Sequence, residues 1–251
     1  MNTLGTSLIA FALIFGGALL GFRVRALLPE DHLSTTSRDV VKLGMGTIAT
    51  MTALVLGLLV NSAKNSYDAQ SRALTEMSAK IVLLDRVLAH YGPEAKESRD
   101  FLREVVTRLI EQTWPKEGLA PGMTEPTALR SEILYDKIQG LTPTNDVQRL
   151  LLNRALNLAV DIGQMRWLIV EQGYTPVSKP LMVVVIFSLM ITFTSFALHS
   201  PPNGTLVATF LLGAISVSGV VFLILEMYTP FRGFIEISNA PLRAALSYLG
   251  Q

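Results

Sequence analysis

Leu43-Gly-Met-Gly-Thr-Ile-Ala-Thr-Met-Thr-Ala-Leu-Val-Leu-Gly-Leu-Leu-Val-Asn-Ser-Ala63 is a run of 21 residues without a charge. As a helix rising 1.5 Å per residue it reaches across the roughly 30 Å of a bilayer's hydrocarbon core. Lipid offers no hydrogen-bond partner to a backbone, so a run of this length reads as a helix and not as a strand. A central Lys, Arg or Asp would cost about 2.5 to 3.5 kcal/mol on insertion scales, which makes the absence of charge informative. Three further runs meet the same test: Thr3 to Phe22, Pro180 to Leu198 and Gly204 to Leu225. The chain is therefore expected to be all-α and to cross a membrane four times.

Working outward, the charges are segregated. Half of the 251 residues are apolar, and of the 41 Asp, Glu, Lys and Arg residues 28 lie between Asn65 and Ser178. The expected organisation is residues 1–64 as the first two spans with their connecting loop, and 65–178 as a helical extramembrane domain. Residues 179–228 follow as a transmembrane hairpin, and 229–251 as an interfacial amphipathic tail. The first run is read as a span and not as a cleaved leader. No Lys or Arg precedes it, and it ends in Arg23-Val-Arg25 instead of a small-residue cleavage site.

After Gly57 neither Gly nor Pro occurs until Gly92-Pro93, so the second span is expected to continue as a helix beyond the membrane. Leu74, Met77, Ile81, Leu84, Leu88 and Tyr91 fall three and four apart on one stripe of that extension. Leu151, Ala155, Leu158, Ile162, Met165 and Ile169 repeat the spacing in a helix capped by Thr144-Asn145-Asp146, which makes it the expected antiparallel partner. Helices over about 93–112 and 128–139 lie between them, separated by a loop rich in Gly and Pro. In the tail, Pro241 follows Ser238, and Leu242, Leu246 and Leu249 share one face, the pattern of a short helix on a membrane surface.

The second span also carries the functional signal. Thr47, Thr50, Leu54, Gly57, Asn61 and Lys64 recur every three or four residues, giving one smaller, more polar face that ends in a positive charge. Two readings stay open. The face lines a pore, with threonine hydroxyls as donors to a partly dehydrated anion, Leu54 as a dewetting constriction and Lys64 at the mouth. Alternatively Ala49, Ala53 and Gly57 form a small-residue seam packed against neighbouring helices. Thr209, Gly213, Ser216 and Gly219 in the last span read as packing. Glu226 reads as a solvated carboxylate at the membrane edge that pairs with Arg232. Asp85 and Arg86, adjacent on a helix, do not face each other, so each reads as part of a solvated or interhelical ion pair.

Enzyme chemistry finds no footing. His32, His90 and His199 lie in separate segments, there is no cysteine, and no phosphate-binding glycine loop occurs, so no catalytic residue, metal or cofactor is expected. Nothing in the chain points to a nucleic-acid partner.

Leu84-Asp-Arg-Val-Leu-Ala-His-Tyr-Gly-Pro-Glu-Ala95 with Arg99, Gln164-Met-Arg-Trp-Leu168, Ser195-Phe-Ala-Leu-His-Ser-Pro-Pro-Asn203, Pro230-Phe-Arg-Gly233 and Ala240-Pro-Leu242 together resemble the bacterial bestrophin-like membrane protein family. The resemblance covers nearly the whole chain. Two local departures are Tyr228-Thr229, where members often carry Asp-Arg, and Pro202, where they carry Arg. The likeness implies four spans per subunit, a homo-oligomer, cytoplasmic termini and a cytoplasmic helical bundle. It also implies a passive channel for a small anion such as chloride in a bacterial inner membrane. The alternative is a non-conducting membrane scaffold that docks a partner protein.

This topology is checked by labelling single cysteines in the naturally cysteine-free chain from outside intact cells. Asp31→Cys is expected to react and Glu117→Cys to stay silent; the opposite pattern reverses the orientation.

Overall fold

The computed structural model describes residues 3–27, 35–114, 127–173, 179–231 and 233–251, and among them every regular element is helical. The helices are α1 (Thr3–Arg25), α2 (Thr35–Tyr91), α3 (Lys96–Thr113), α4 (Thr127–Gln139), α5 (Asp146–Gly173), α6 (Lys179–Leu198), α7 (Gly204–Met227) and α8 (Ala240–Tyr248). A single 3₁₀ turn, Pro93–Ala95, precedes α3. Four of the helices are long and apolar enough to cross a membrane: α1, α2, α6 and α7. They are the four runs picked out by the absence of charge.

The chain divides into two compact units, Met1–Ser66 with Pro176–Tyr228, and Tyr67–Thr175 with Thr229–Gln251. One helix contributes to both. With no Gly or Pro between Leu58 and Tyr91, α2 runs unbroken for 57 residues, about 85 Å at the α-helical rise. It stops where Gly92 takes φ of 134°, a conformation that residues with a Cβ rarely adopt, and Pro93 follows.

In the membrane unit α1 lies hard against α6. A Cβ added at Gly21 would fall 2.3 Å from the Thr194 carbonyl oxygen, and one at Gly17 would fall 2.7 Å from the Thr194 hydroxyl. Gly17-Ala-Leu-Leu-Gly21 is thus a small-xxx-small seam that lets two backbones approach, the contact that holds helices together where lipid removes the hydrophobic drive. The apolar core of this unit gathers Ala10, Leu59, Ala63, Met182, Val185, Val221 and Ile224, one side of each span. Asn203 caps α7, its side-chain oxygen accepting from the Leu206 amide at 2.8 Å.

In the bundle unit the two stripes meet as their spacing predicts. Leu74, Met77, Ile81, Leu84, Leu88 and Tyr91 are buried in one core with Ala155 and Leu158, and Leu151, Ile162, Met165 and Ile169 pack against it. Lys80 donates to Asp161 at 2.8 Å and Gln148 donates to the Tyr91 carbonyl at 3.0 Å. Rising numbers on α2 therefore meet falling numbers on α5, so the pair is antiparallel. Asp161 holds the Lys80 ammonium above its usual pKa through that hydrogen bond. Gln148 does a second job at the start of α5: its amide N–H donates to the Asn145 side chain, and its side-chain oxygen accepts from the Thr144 amide and hydroxyl.

The tail departs from expectation. Residues 229–251 belong to the bundle, and Ile237, Leu242, Ala245 and Leu249 are buried in its core with Leu246 packed against it. The apolar face read as interfacial is covered by protein at Leu242 and Leu249, with Leu246 half-buried beside them. Polar contacts fix the register. Trp114 donates from its indole to the Ile237 carbonyl at 2.9 Å, Arg103 reaches the Leu249 carbonyl at 3.4 Å, and the Gly250 amide donates to Asp85 at 3.4 Å. Asp85 is only 1% exposed and takes a bidentate pair from Arg99, at 2.8 and 3.0 Å. That is an interhelical ion pair between α2 and α3, and the hydrogen bond holds the Arg99 guanidinium above its ordinary pKa. Among the described residues Arg86 makes no bond to Asp85; it donates to the Gln251 carbonyl, which also accepts from Arg99.

Two substitutions test this packing. Leu84→Asp places an unpaired charge at a fully buried site and is expected to lower stability by several kcal/mol, read as a large drop in melting temperature in detergent. Unchanged melting would reject the α2–α5 pairing. Leu242→Asp is expected to cost a similar amount because α8 is part of the core; a tail facing lipid would leave the detergent melting temperature unaltered.

Candidate functional site

Of the four spans α2 is the least enclosed: 11% of its apolar window is buried within the chain, against 33% for α1 and 22% each for α6 and α7. The reason lies in its two faces. Thr52, Leu59 and Ala63 are buried, with Val55, Leu56 and Val60 packed beside them against the other spans. Thr47, Thr50, Leu54, Gly57, Asn61 and Lys64 lie on the other side of the helix, and all six are exposed. Their three-and-four spacing keeps them on one line along the helix. A Cβ at Gly57 would meet no atom within 4 Å, and Ala53 is exposed as well. Ala53 and Gly57 therefore do not pack against other described spans of the same chain.

The chemistry of that face differs from the expectation in one respect. The Thr47 and Thr50 hydroxyls donate to the carbonyls of Leu43 and Gly46, one turn back, at 3.1 and 2.9 Å. A hydroxyl has one proton, and in this rotamer it is committed to the backbone, so these side chains present only acceptor oxygens outward. Donor groups on the stripe reduce to the Asn61 amide and the Lys64 ammonium, at the end where the apolar run gives out. Between them and the threonines stands Leu54, 67% exposed, with Met51 and Leu58 beside it.

Glu226 also differs. It is 1% exposed and accepts from the Thr3 hydroxyl at 2.6 Å, so it is a buried carboxylate and not a solvated one at a membrane edge. The last turn of α7 meets the first turn of α1, where unpaired N–H groups and the positive end of the helix dipole favour a negative charge. Thr3 is the partner that sequence spacing missed, since a contact across 223 residues leaves no local signal. Arg232, its expected partner, lies outside the described residues. Close by in the chain, Ser62 and Tyr228 share a hydrogen bond of 3.2 Å.

The packing expected of the last span is only partly realised. Gly213 meets the Phe193 ring, 3.2 Å from where a Cβ would stand, but Thr209, Ser216 and Gly219 are exposed. The Gly17–Gly21 seam of α1 is a small-residue contact that closes within the chain, and the reading of the sequence missed it although its spacing is a local signal. His199 bonds to the Ser195 carbonyl within the α6–α7 hairpin, and among the described residues no three metal-ligating side chains converge.

Comparison with known proteins places this architecture. No curated protein matches the chain. Among solved structures, two crystal structures of variants of a bacterial Bestrophin homolog from Klebsiella pneumoniae superpose with TM-scores of 0.68 and 0.69. The first covers 97% of this chain and 97% of that one, the second 99% and 97%, each at 14% identity, a level that speaks for the fold alone. The model of the Bestrophin-like domain matches residues 11–242, from within the first span to the tail helix. With four membrane helices, a helical bundle built on the extension of the second and a match over nearly its whole length, the chain belongs to the Bestrophin-like domain family.

Proposed function

We propose that copies of this chain assemble around an axis and form a passive channel, with the exposed face of α2 lining the path and a small anion such as chloride passing along it. The observation that carries this reading is the exposure of all six stripe residues on the one span with so little cover from its own chain. A non-conducting scaffold would keep that stripe dry between the spans of one subunit, and the described spans do not supply such cover. Membership of the Bestrophin-like family supports a membrane channel; the choice of anion rests on Lys64 and Asn61, the donor groups of the stripe.

In the assembled channel Leu54 forms an apolar ring that gates by dewetting, and Lys64 forms a ring of positive charge at the mouth beyond the apolar run. Such a ring raises the local anion concentration through a field that physiological salt screens over about 8 Å. The bundle unit and the termini lie on the cytoplasmic side of a bacterial inner membrane, the orientation that the likeness to bestrophin channels implies.

Purified protein in planar bilayers tests the proposal. Lys64→Glu is expected to lower anion conductance or move selectivity toward cations, and Leu54→Ala to raise basal leak. Currents no larger than those of empty bilayers, with and without Leu54→Ala, would return the chain to the scaffold reading.

A further inference from the structure

The chain holds nine methionines, and their surroundings differ. Met77 is buried in the core of the bundle unit and Met182 in that of the membrane unit. Among the described residues Met51 is the one methionine that is exposed, at 63%. Its place gives that exposure a consequence. Met51 lies on α2 three residues before Leu54, and Leu58 follows four after it, so the three share the open side of the span. This is also the least polar stretch of that side. The Thr47 and Thr50 hydroxyls before it are committed to backbone carbonyls, and the next stripe residue with a donor side chain is Asn61.

We propose that, given a path lined by α2, Met51 is a modification site: a hydroperoxide oxidises its thioether to the sulfoxide, and the sulfoxide wets the Leu54 constriction and opens it. In this step the sulfur lone pair attacks one peroxide oxygen, so that an S–O bond forms as the O–O bond breaks. The proton on the transferred oxygen passes to the leaving one, which departs as water when the oxidant is hydrogen peroxide. Sulfur is oxidised by two electrons and the peroxide is reduced by two. The reaction requires no catalytic side chain, so access decides which methionine reacts first. Packing shields Met77 and Met182 from the oxidant and leaves no room for an added oxygen. At Met51 the product places a polar, hydrogen-bond-accepting group where a soft apolar thioether stood. An apolar ring closes a path by refusing water, and one acceptor oxygen per subunit beside Leu54 gives water a partner there.

The experiment records currents from the purified full chain in planar bilayers while hydrogen peroxide is added and then washed out. Peroxide is expected to raise the basal current several-fold, and the rise should outlast the wash because the sulfoxide is a covalent product. Met51→Leu should hold its own basal current through the same treatment. Met51→Gln, polar at that position without any oxidant, should conduct more than the parent from the start. Peptide mass measurement should find the added oxygen on Met51 before Met77 or Met182. Oxidation of Met51 that leaves the current unchanged, or a peroxide response that survives in Met51→Leu, overturns the modification site, while a conducting Leu54→Ala still upholds the path. Currents no larger than those of empty bilayers from the parent, Leu54→Ala and Met51→Gln alike overturn the path and the modification site with it.

Discussion

The structure depends on one uninterrupted ladder of backbone hydrogen bonds, that of α2. In hydrocarbon a helix is the way a single span satisfies its own N–H and C=O groups, and once formed it continues until something breaks it. Nothing does so before Gly92. The same 57-residue helix therefore supplies a candidate membrane span and the central stripe of the bundle's core. Its composition changes along its length to suit: an uncharged run to Ala63, then apolar residues confined to one face with charges on the others.

The two buried carboxylates, Asp85 and Glu226, each meet donors that come from other helices. Asp85 is held by Arg99 and by an amide of the tail; Glu226 is held by Thr3 at the opposite end of the chain. In each case an oxyanion meets donors that solvent no longer provides, and the contact fixes one register between elements that apolar packing alone would leave free to slide. The tail illustrates the consequence. Its leucines bury in the bundle as any amphipathic helix would, while Arg86, Arg99 and Arg103 donate to the Leu249 and Gln251 carbonyls that follow α8.

The exposed side of α2 has the opposite character. A span that buries Thr52, Leu59 and Ala63 on one side and exposes Thr47, Leu54 and Lys64 on the other has two unlike faces. Its threonines, turned back to their own carbonyls, make that side less polar than the residue types suggest. Any path along it is then governed by Leu54 and by the Asn61 and Lys64 end more than by hydroxyl groups. Many functions are carried by one fold, so these side chains, more than the family architecture, are where function has to be read.

The sequence by itself determined what depends on local periodicity and on the cost of charge in lipid. The four spans, the passage of α2 out of the membrane, the meeting of the stripes at Leu74–Tyr91 and Leu151–Ile169, and the polar line from Thr47 to Lys64 all follow from spacing within single helices. The Gly17–Gly21 seam carried the same kind of signal. Tertiary structure decided what depends on which surfaces meet. An amphipathic tail has the same pattern whether lipid or protein covers it, and only packing showed that Leu242 and Leu249 bury in the bundle. A carboxylate at the end of a span looks solvated until the first turn of another helix closes over it, as α1 does over Glu226. A threonine's rotamer, which settles whether its proton is offered outward, depends on a carbonyl one turn back competing with whatever lies beyond the helix, and no residue type records the outcome.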